Sequence, residues 1–324
     1  MDSSAQNDRL LSFIIVNLDT EKLLSGCISS IQETASEFDY EIWLVDNASR
    51  DRSVETVKKQ FPDVKIIENK RNLGFAKANN LALSAAAGKY FILLNTDAAL
   101  TTGAIETAVA FMEERKDAAV CGAQLLNADG SRQNSIANIP GLLTELTNKS
   151  LLRFLFPSKY PGKEKNFDGP VEVESVVGAF MCVRREAVDS TGFLDEDYFF
   201  FLEETDWCLR FRENGWKVYH HPSVRVIHLQ GQSAGKDRVK ARIEYWRSRY
   251  AFFRKHKPLP ARAALRTGLF FRLLVDFFVN FVDNLFFLFA SEKKRGKLAL
   301  YAVLLAWHLS GCPSGWGLAK GRQS

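Results

Sequence analysis

Short apolar runs alternate with helical patterns along the N-terminal third of the chain, and this alternation constrains the fold more than any other feature. Runs with the length of buried strands lie at residues 12–16, 41–45, 64–67 and 90–94. Helical patterns fill the intervals, at residues 21–33, 53–60 and 75–87. Because strand–helix–strand units of this spacing close with right-handed crossovers, the sequence predicts an α/β fold with a mostly parallel sheet and helices on both faces.

Polar residues stand at the ends of these predicted strands. Asn17 follows the first strand, Asp46 ends the second, and the triplet Asn95, Thr96 and Asp97 follows the last. Ligands of open α/β sheets bind beyond the carboxyl ends of the strands. These residues are therefore the first candidates for a binding site.

The rest of the chain has a different organisation. A helix near 103–115 and a strand near 118–126 precede a polar stretch at 130–170, which reads as a long loop with one short helix around 141–155. Strand and helix patterns return beyond it. A chain of 324 residues has room for a large domain and an appendage. The predicted division is a domain at 1–235, with halves at about 1–127 and 128–235, and a helical appendage at 236–324.

The appendage is strongly basic. Residues 230–324 contain 18 Lys and Arg against 5 Asp and Glu, whereas residues 1–229 contain 25 against 33. Such a division predicts an acidic body whose appendage contacts an anionic partner. Basic residues interleaved with aromatic ones also suit nucleic acid. The many phenylalanines of 269–289 need lipid or protein instead, so we expect a membrane surface and no nucleic acid.

The segment 264–290 is intensely apolar but contains four charged side chains. Each central charge would cost about 2.5–3.5 kcal/mol at a bilayer centre. A helix lying in the membrane interface is therefore favoured over a spanning helix and over a buried core helix. Basic clusters at 254–257 and 293–295 flank the segment and would attract anionic lipid.

The cysteines and the N-terminus indicate a reducing compartment. The five cysteines are scattered, form no C-x-x-C pair and follow no metal-ligand spacing. Residues 1–11 lack the basic and apolar regions of a secretory signal. We expect reduced, mostly buried thiols and a peripheral or monotopic protein on the cytoplasmic face of the inner membrane.

Two polar motifs fit either a binding or a structural role. Asp46 can accept a hydrogen bond from a pyrimidine N–H or a ribose hydroxyl, although Asp is also common in turns. Asn72 and Gly74 form a turn before the helix that carries Lys77. Backbone N–H groups at such a helix start can face phosphate, but a plain loop–helix junction fits equally well.

Acidic residues and one histidine stand where metal or proton chemistry is expected. Asp97 follows an apolar strand, and hard oxygen ligands together with phosphate suit Mg²⁺ or Mn²⁺. Glu203, Glu204 and Asp206 follow an apolar run that would desolvate a carboxyl group and tune it as a general base. The alternative is that these acids only stabilise the positive end of a helix. His228 ends a strand-like run and is either structural or a metal ligand.

In their order along the chain, these segments resemble glycosyltransferase family 2, in particular its bacterial rhamnosyltransferase-like branch. The resemblance covers about 10–235, and the basic tail is also similar to that branch. It is carried by the first strand at 12–17, V-D-N-x-S at 45–49, N-x-G-F-x-x-x-N at 72–79, the D-x-D position at 94–97, a glycine element at Gly178, Ala179 and Phe180, and the F-D-E and E-D-x-D-x-x-x-R region at 193–196 and 200–210.

The family implies a GT-A fold, in which a Rossmann-like sheet is joined to a smaller acceptor-binding half. By this resemblance Asp46 contacts the base or ribose, Asp97 holds a divalent ion on the diphosphate, and His228 completes the metal site. The other implied donor-side residues are Asn17, Asn72, Gly74, Lys77, Asn95 and Thr96. The implied acceptor-side residues are Gly178, Ala179 and Phe180.

The resemblance also implies an inverting transfer by a single displacement. Glu204 takes the position of the base, supported by Glu203 and Asp206, and Mg²⁺ or Mn²⁺ neutralises the departing nucleotide diphosphate. Two residues depart from the family pattern. Asn95 replaces the first acid of D-x-D, which leaves one carboxylate for the metal, and Glu204 stands where Asp is commoner.

The resemblance favours dTDP-L-rhamnose as donor, with UDP- or GDP-sugars as alternatives, and a lipid-linked saccharide of an O-antigen-type polysaccharide as acceptor. Two other classes of protein share parts of this pattern. A sugar-nucleotide pyrophosphorylase would need a glycine-rich, basic loop after the first strand, where this chain has residues 17–20 as Asn-Leu-Asp-Thr. A non-catalytic membrane scaffold would keep the fold and process no nucleotide sugar.

Overall fold

The chain divides into two compact units in a computed structural model, which describes residues 11–157, 159–160, 165–229 and 237–318. The sheet unit comprises Met1–Ile139, Tyr160–Phe199 and Glu203–Ser233. The helical unit comprises Pro140–Lys159, Phe200–Leu202 and Ala234–Ser324. Residues 140–159, which the sequence assigns to the second half of the body, thus group with the helical unit. The predicted boundary at 235 lies outside the described residues.

The sheet unit is built on one large sheet and a small two-stranded one. Its strands are β1 (Leu11–Asn17), β2 (Tyr40–Asp46), β3 (Lys65–Glu68), β4 (Tyr90–Leu94), β5 (Ala98–Leu100), β6 (Ala118–Leu126), β7 (Ile136–Ala137), β8 (Val171–Glu172), β9 (Ser175–Val176), β10 (Phe180–Arg184) and β11 (Lys217–His228). The large sheet has the order β3-β2-β1-β4-β10-β6-β11-β5, with β8 beside β11. β7 pairs with β9.

The four N-terminal strands of the sheet are parallel, as the sequence predicts. β1 pairs with β2 and β4, and β2 pairs with β3. All side chains of β4 are buried, which is typical of a strand covered on both faces. The register places Asn17 opposite Asp46. The predicted polar strand ends therefore lie side by side at the carboxyl edge of the sheet.

The later strands add antiparallel pairings that the sequence does not reveal. β10 lies between β4 and β6 and is antiparallel to both. The short strand β5 pairs antiparallel with β11. The strands predicted near 217–220 and 224–228 are one strand, β11, with a register shift between His221 and Arg225.

Helices cover both faces of the sheet, so the predicted fold class is confirmed. They are α1 (Glu21–Thr34), α2 (Ser53–Gln60), α3 (Phe75–Ala85), α4 (Ala104–Glu114), α7 (Arg185–Thr191) and α8 (Glu203–Glu213), with α5 (Leu142–Leu146) and α6 (Lys149–Leu155) in the helical unit. Phe13 of β1 packs in one hydrophobic cluster with Ile28 of α1. The alternate residue Ile14 packs in the other cluster with Ala82 of α3. This alternation is what a strand with helices on both sides requires.

The helical unit also contains α9 (Arg238–His256), α10 (Leu259–Phe286) and α11 (Glu292–Leu309). The sequence predicts a helix at 264–290. α10 begins earlier than this, at Leu259, and also ends earlier, at Phe286. It buries Leu265, Leu269 and Leu273, which recur every four residues on one face. Its outer face exposes a row of apolar residues that includes Phe271, Val275, Phe278, Val279, Val282 and Phe286. Across the described residues, no helix combines the length and the apolarity needed to cross a bilayer.

The cysteines behave as predicted. All five are free thiols, and all except Cys312 are buried. Burial raises the pKa of Cys182 and of Cys208 to about 12. These thiols therefore stay protonated and chemically inert near neutral pH.

Candidate active site

The ends of β1 and β2 form a hydrogen-bonded polar cluster. The Nδ2 group of Asn17 donates to Oδ1 of Asp46 over 2.8 Å. The backbone N–H of Ser49 donates to Oδ2 of the same carboxylate over 2.9 Å. Asn17 and Asp46 are almost fully buried. The predicted donor-side pair is therefore held rigidly, with both oxygens of Asp46 oriented.

Asn47 is a further member of this cluster that the prediction did not include among the site residues. Its Nδ2 group donates to the carbonyl of Gly74 over 3.1 Å, and its Oδ1 accepts from Asn69 over 3.0 Å. Asn47 is buried. Its hydrogen bonds connect the end of β2 to the turn before α3. The Asp-Asn dipeptide at positions 46–47 is the sequence feature that could have predicted this connection.

The turn before α3 is engaged with protein rather than open to a ligand. The N–H of Gly74 bonds to Oδ1 of Asn72, and the N–H of Phe75 bonds to the carbonyl of Phe199 over 2.7 Å. Gly74 has a φ of +86° and faces the backbone of Phe199. At these two N–H groups the geometry favours the loop–helix junction over the phosphate interpretation. Lys77 forms an exposed ion pair with Glu196, with 3.1 Å between Nζ and Oε2.

The triplet after β4 joins the donor side to the glycine element before β10. The N–H of Asn95 donates to the carbonyl of Ala179 over 3.1 Å. The carbonyl of Asn95 accepts from the Sγ of Cys27 over 3.4 Å. Thr96 and Asp97 are buried directly behind it. The predicted acceptor-side element, through Ala179, is therefore hydrogen-bonded directly to the first residue of the D-x-D position.

Asp97 and His228, the two predicted metal ligands, lie together. The Oδ1 atom of Asp97 is 3.3 Å from Nε2 of His228, and both side chains are more than nine-tenths buried. The N–H of Leu229 donates to the carbonyl of Asp97 over 2.9 Å. β5 follows Asp97 directly and pairs with the end of β11, so strand pairing brings these residues together.

Gln133 orients the His228 ring, and sequence reasoning missed it. Its Nε2 group donates to the carbonyl of His228 over 2.5 Å and to Oδ1 of Asn127 over 2.8 Å. Its Oε1 then faces Nδ1 of His228 at 3.1 Å and accepts a hydrogen bond from the Nδ1–H group. The imidazole therefore directs the lone pair of Nε2 at the carboxylate of Asp97. Two electron-rich atoms at this distance call for a proton or a cation between them.

This donor set fits a divalent cation when phosphate and water supply the remaining ligands. Asp97 offers one carboxylate and His228 one imidazole nitrogen, and Mg²⁺ and Mn²⁺ in phosphate sites usually take few protein ligands. No cluster of three or more His, Cys, Asp or Glu within the described ranges forms a closed metal cage. The arrangement suits an ion that arrives with a phosphate-containing ligand.

Glu204 lies beside the glycine element. A Cβ atom built on Gly178 would stand 3.5 Å from Cβ and Cγ of Glu204, which is ordinary van der Waals contact. Burial raises the pKa of the Glu204 carboxyl, and a weak 3.5 Å hydrogen bond from Thr205 offsets this only partly. A raised pKa makes the Glu204 carboxylate a better proton acceptor than an exposed glutamate.

The other two acids of this stretch are buried. Asp206 is 0% exposed and accepts from Nε of Arg210 over 2.7 Å and from the hydroxyl of Tyr198 over 3.3 Å. Arg210 also donates to the carbonyl of Phe193 over 2.7 Å. Glu203 is buried at the first position of α8. Asp206 thus fixes α8 to the preceding loop.

A sheet with helices on both faces, and with acids gathered at its carboxyl edge, is the architecture of GT-A glycosyltransferases. The chain belongs to Glycosyl transferase family 2, whose sequence pattern matches residues 12–192, more than half of its length. The predicted family is thereby confirmed.

Two curated relatives are named as rhamnosyltransferases. The N-acetylglucosaminyl-diphospho-decaprenol L-rhamnosyltransferase of Mycobacterium tuberculosis is 25% identical over 249 residues, covering 72% of this chain and 81% of that protein. The dTDP-rhamnosyl transferase RfbF of Shigella flexneri is 24% identical over 236 residues, covering 71% of this chain and 72% of that protein. The predicted rhamnosyltransferase-like branch is supported by both.

Solved structures share the fold at low sequence identity. The mannosyltransferase PcManGT from Pyrobaculum calidifontis, in complex with GDP-Man and Mn²⁺, aligns with a TM-score of 0.55 and 15% identity, over 92% of this chain and 87% of that one. GalNAc-T7 with UDP, GalNAc and Mn²⁺ aligns with a TM-score of 0.53 and 17% identity, over 69% of this chain. The present chain spans 44% of the length of GalNAc-T7.

Proposed function

We propose that this glycosyltransferase moves a sugar, with inversion, from a nucleotide-diphosphate donor to a hydroxyl group of a lipid-linked saccharide. The observation that carries the proposal is the position of the glycine element. The carbonyl of Ala179 accepts a hydrogen bond from the N–H of Asn95, two residues before Asp97, and a Cβ atom built on Gly178 would stand 3.5 Å from Glu204. This short segment thus lies next to Glu204, the proposed base, and next to the strand end that leads to Asp97, a proposed metal ligand.

Glu204 acts as the general base of this reaction. Its carboxylate accepts the proton of the acceptor hydroxyl while the hydroxyl oxygen bonds to the anomeric carbon of the donor sugar. The bond from that carbon to the nucleotide diphosphate breaks in the same displacement, and its electron pair leaves with the diphosphate. Because burial raises the pKa of Glu204, the carboxylate is a stronger base than an exposed glutamate.

Asp97 and His228 would hold Mg²⁺ or Mn²⁺ against the donor. A divalent ion in this position neutralises charge on the leaving diphosphate. Asp46, held by Asn17 and Ser49, is placed to accept a hydrogen bond from the donor base or ribose. Asp206 fixes the helix that carries the base through its ion pair with Arg210.

L-rhamnose from dTDP-L-rhamnose is the favoured donor, with UDP- and GDP-sugars as alternatives. The names of the M. tuberculosis and S. flexneri relatives support rhamnosyl transfer. The relative from M. xanthus, named an O-antigen biosynthesis protein, supports a role in surface polysaccharide synthesis. The exposed apolar face of α10 and the basic clusters near 254–257 and 293–295 support work at an anionic membrane surface, on its cytoplasmic side.

The test is transfer by purified full-length protein from a panel of dTDP-, UDP- and GDP-sugars to a polyprenyl-diphosphate saccharide. Glu204→Gln is expected to abolish transfer while donor binding, measured by calorimetry, survives. Glu213→Gln, on the exposed side of the same helix, is the matched control and should stay active. Full activity of Glu204→Gln would remove this residue from the mechanism.

Chelation tests the metal. EDTA should stop transfer, and added Mg²⁺ or Mn²⁺ should restore it, because the bound divalent ion neutralises the charge of the leaving diphosphate. Activity indifferent to EDTA would contradict the roles given to Asp97 and His228. Purified protein that neither transfers nor hydrolyses any nucleotide sugar would instead favour the scaffold alternative.

A further inference from the structure

The helical unit contains a cavity that is lined by residues of this unit alone. Its volume of about 480 Å³ falls within the range of about 300–1,000 Å³ of small-molecule sites. The walls come from α5, α9, α10 and α11. The polar and aromatic side chains that matter for its chemistry are Arg242, Arg249, Arg272, Tyr245, Trp246 and Tyr301.

One arginine of the cavity is part of its framework. Nε of Arg249 lies 2.6 Å from Oε2 of Glu145, and both side chains are buried. The guanidinium group of Arg249 also lies 5.4 Å from the ring centre of Tyr245 and 5.2 Å from that of Trp246. This buried pair gives the cavity a fixed wall, and its charge is already balanced.

The other two arginines are available to a ligand. Arg242 is exposed and forms no hydrogen bond or ion pair with another described residue. Arg272 is 52% exposed and makes only long contacts, 3.5 Å from Nη1 to the carbonyl of Glu145 and 4.0 Å from Nε to Oδ2 of Asp276. Two guanidinium groups that share one cavity and lack close partners are suited to bind phosphate oxygens.

Tyr301 adds a neutral donor to the same wall. Burial and the charge of Asp276 raise the pKa of its hydroxyl, and the nearby Arg242 and Arg272 offset this only partly. The hydroxyl therefore stays protonated and can donate a hydrogen bond. The lining also includes Glu145 and Asp276, so its three arginines and two acids leave one net positive charge. Together with the hydroxyl donor, this charge favours an oxyanion as ligand.

The surroundings of the cavity indicate that this anion belongs to a lipid. Arg272 lies on α10 between the exposed residues Phe271 and Val275, which are 61% and 60% exposed. The helix α6, which follows α5 in the chain, exposes Phe154 at 82%. A soluble anion would gain nothing from this apolar surface, whereas a lipid can place its chains there while its headgroup enters the cavity.

We propose that the cavity of the helical unit binds the phosphate headgroup of a membrane lipid, with Arg242 and Arg272 as its ligands. The site is discrete and saturable, unlike the diffuse attraction of the basic clusters. It goes beyond the proposed sugar transfer and does not depend on it. Lipid of the correct headgroup would hold the helical unit at the membrane in a fixed orientation.

The test compares binding of the full chain to vesicles of phosphatidylcholine with binding to vesicles that also contain phosphatidic acid. The measurements are made at high ionic strength, which screens diffuse attraction. The double substitution Arg242→Gln with Arg272→Gln is expected to weaken phosphatidic-acid-dependent binding by about tenfold or more, since charged hydrogen bonds are lost. The control, Arg238→Gln with Lys297→Gln, removes the same charge from exposed positions of the helical unit outside the basic clusters and should retain binding.

Each remaining outcome also decides the proposal. Equal weakening of both double variants would show that only net charge matters and would overturn the site. Inorganic phosphate that releases the vesicles at a matched phosphate concentration would reassign the cavity to a soluble anion. Tyr301→Phe, a minor change in shape, should weaken lipid binding without affecting folding. Donor hydrolysis in the absence of lipid should be unchanged in all these variants, which separates this test from that of sugar transfer.

Discussion

Gly74 allows a quantitative test of how the turn before α3 supports the site. It has φ 86° and ψ 174°, a conformation that L-residues with a side chain rarely adopt. A Cβ atom at this position would stand 2.5 Å from the carbonyl oxygen of Phe199 and 2.7 Å from its Cδ2 atom. The same carbonyl oxygen accepts the hydrogen bond from Phe75. The substitution Gly74→Ala therefore combines backbone strain with a collision against backbone.

The two effects have separate magnitudes. The conformation alone costs about 1–3 kcal/mol for a residue with a side chain. Forcing a methyl group into a packed contact costs about a further 1–3 kcal/mol, and the carbonyl of Phe199 cannot rotate away as a flexible side chain would. Gly74→Ala should thus lower the free energy of unfolding by about 2–6 kcal/mol.

Gly192 provides a matched control. Its backbone has nearly the same conformation, φ 88° and ψ 172°, but nothing lies within 4 Å of a Cβ atom built there. Gly192→Ala should therefore show the strain term alone, about 1–3 kcal/mol. Denaturant unfolding of the two variants measures both values. Equal destabilisation would refute the claim that close approach to Phe199, rather than conformation, makes glycine necessary at position 74.

Three further predictions concern the polar groups of the site. Gln133→Leu should weaken Mn²⁺ binding by about 10–100-fold, measured by calorimetry, because His228 loses the partner that fixes its tautomer. Asp206→Asn should cost about 3 kcal/mol in denaturant unfolding, because it leaves the charge of Arg210 without its buried partner. The folded state holds the Glu204 proton to higher pH than the unfolded chain, so stability should fall as pH rises above the ordinary glutamate pKa, and Glu204→Gln should remove this fall.

Each of these has a clear contrary result. Unchanged Mn²⁺ affinity in Gln133→Leu would show that the ring of His228 is held by other contacts. Asp206→Asn with wild-type stability would mean that the Arg210 pair is solvated and contributes little. A pH dependence of unfolding that is the same with and without Glu204 would show that burial does not raise its pKa.

Those parts of the fold that depend on local pattern could be predicted from the sequence. β1, β2 and β4 have continuous apolar runs, and strands buried on both faces need such runs. The polar ends of these strands meet because parallel strands share one carboxyl edge. The pairing of Asn17 with Asp46 follows from that rule alone.

Other parts depend on contacts that leave no periodic signal. β10 lies between β4 and β6 although it comes far later in the chain, and only tertiary packing decides such an insertion. Gln133 is in a polar stretch without alternation, and its role depends on meeting His228 across 95 positions of sequence. Lys77 lies within the segment that resembles the family pattern, yet its observed partner, Glu196, becomes a neighbour only after folding.

The pairing of β5 with β11 has a consequence for how this enzyme can vary. His228 is opposite Ala98, and the next pairs are Ile227 with Ala99 and Val226 with Leu100. Because side chains alternate across a strand, a slip of one position would turn the imidazole to the other side of the sheet. Single-residue insertions or deletions in either strand should therefore be far more harmful than substitutions, and length changes among natural variants should be confined to the loops beyond them.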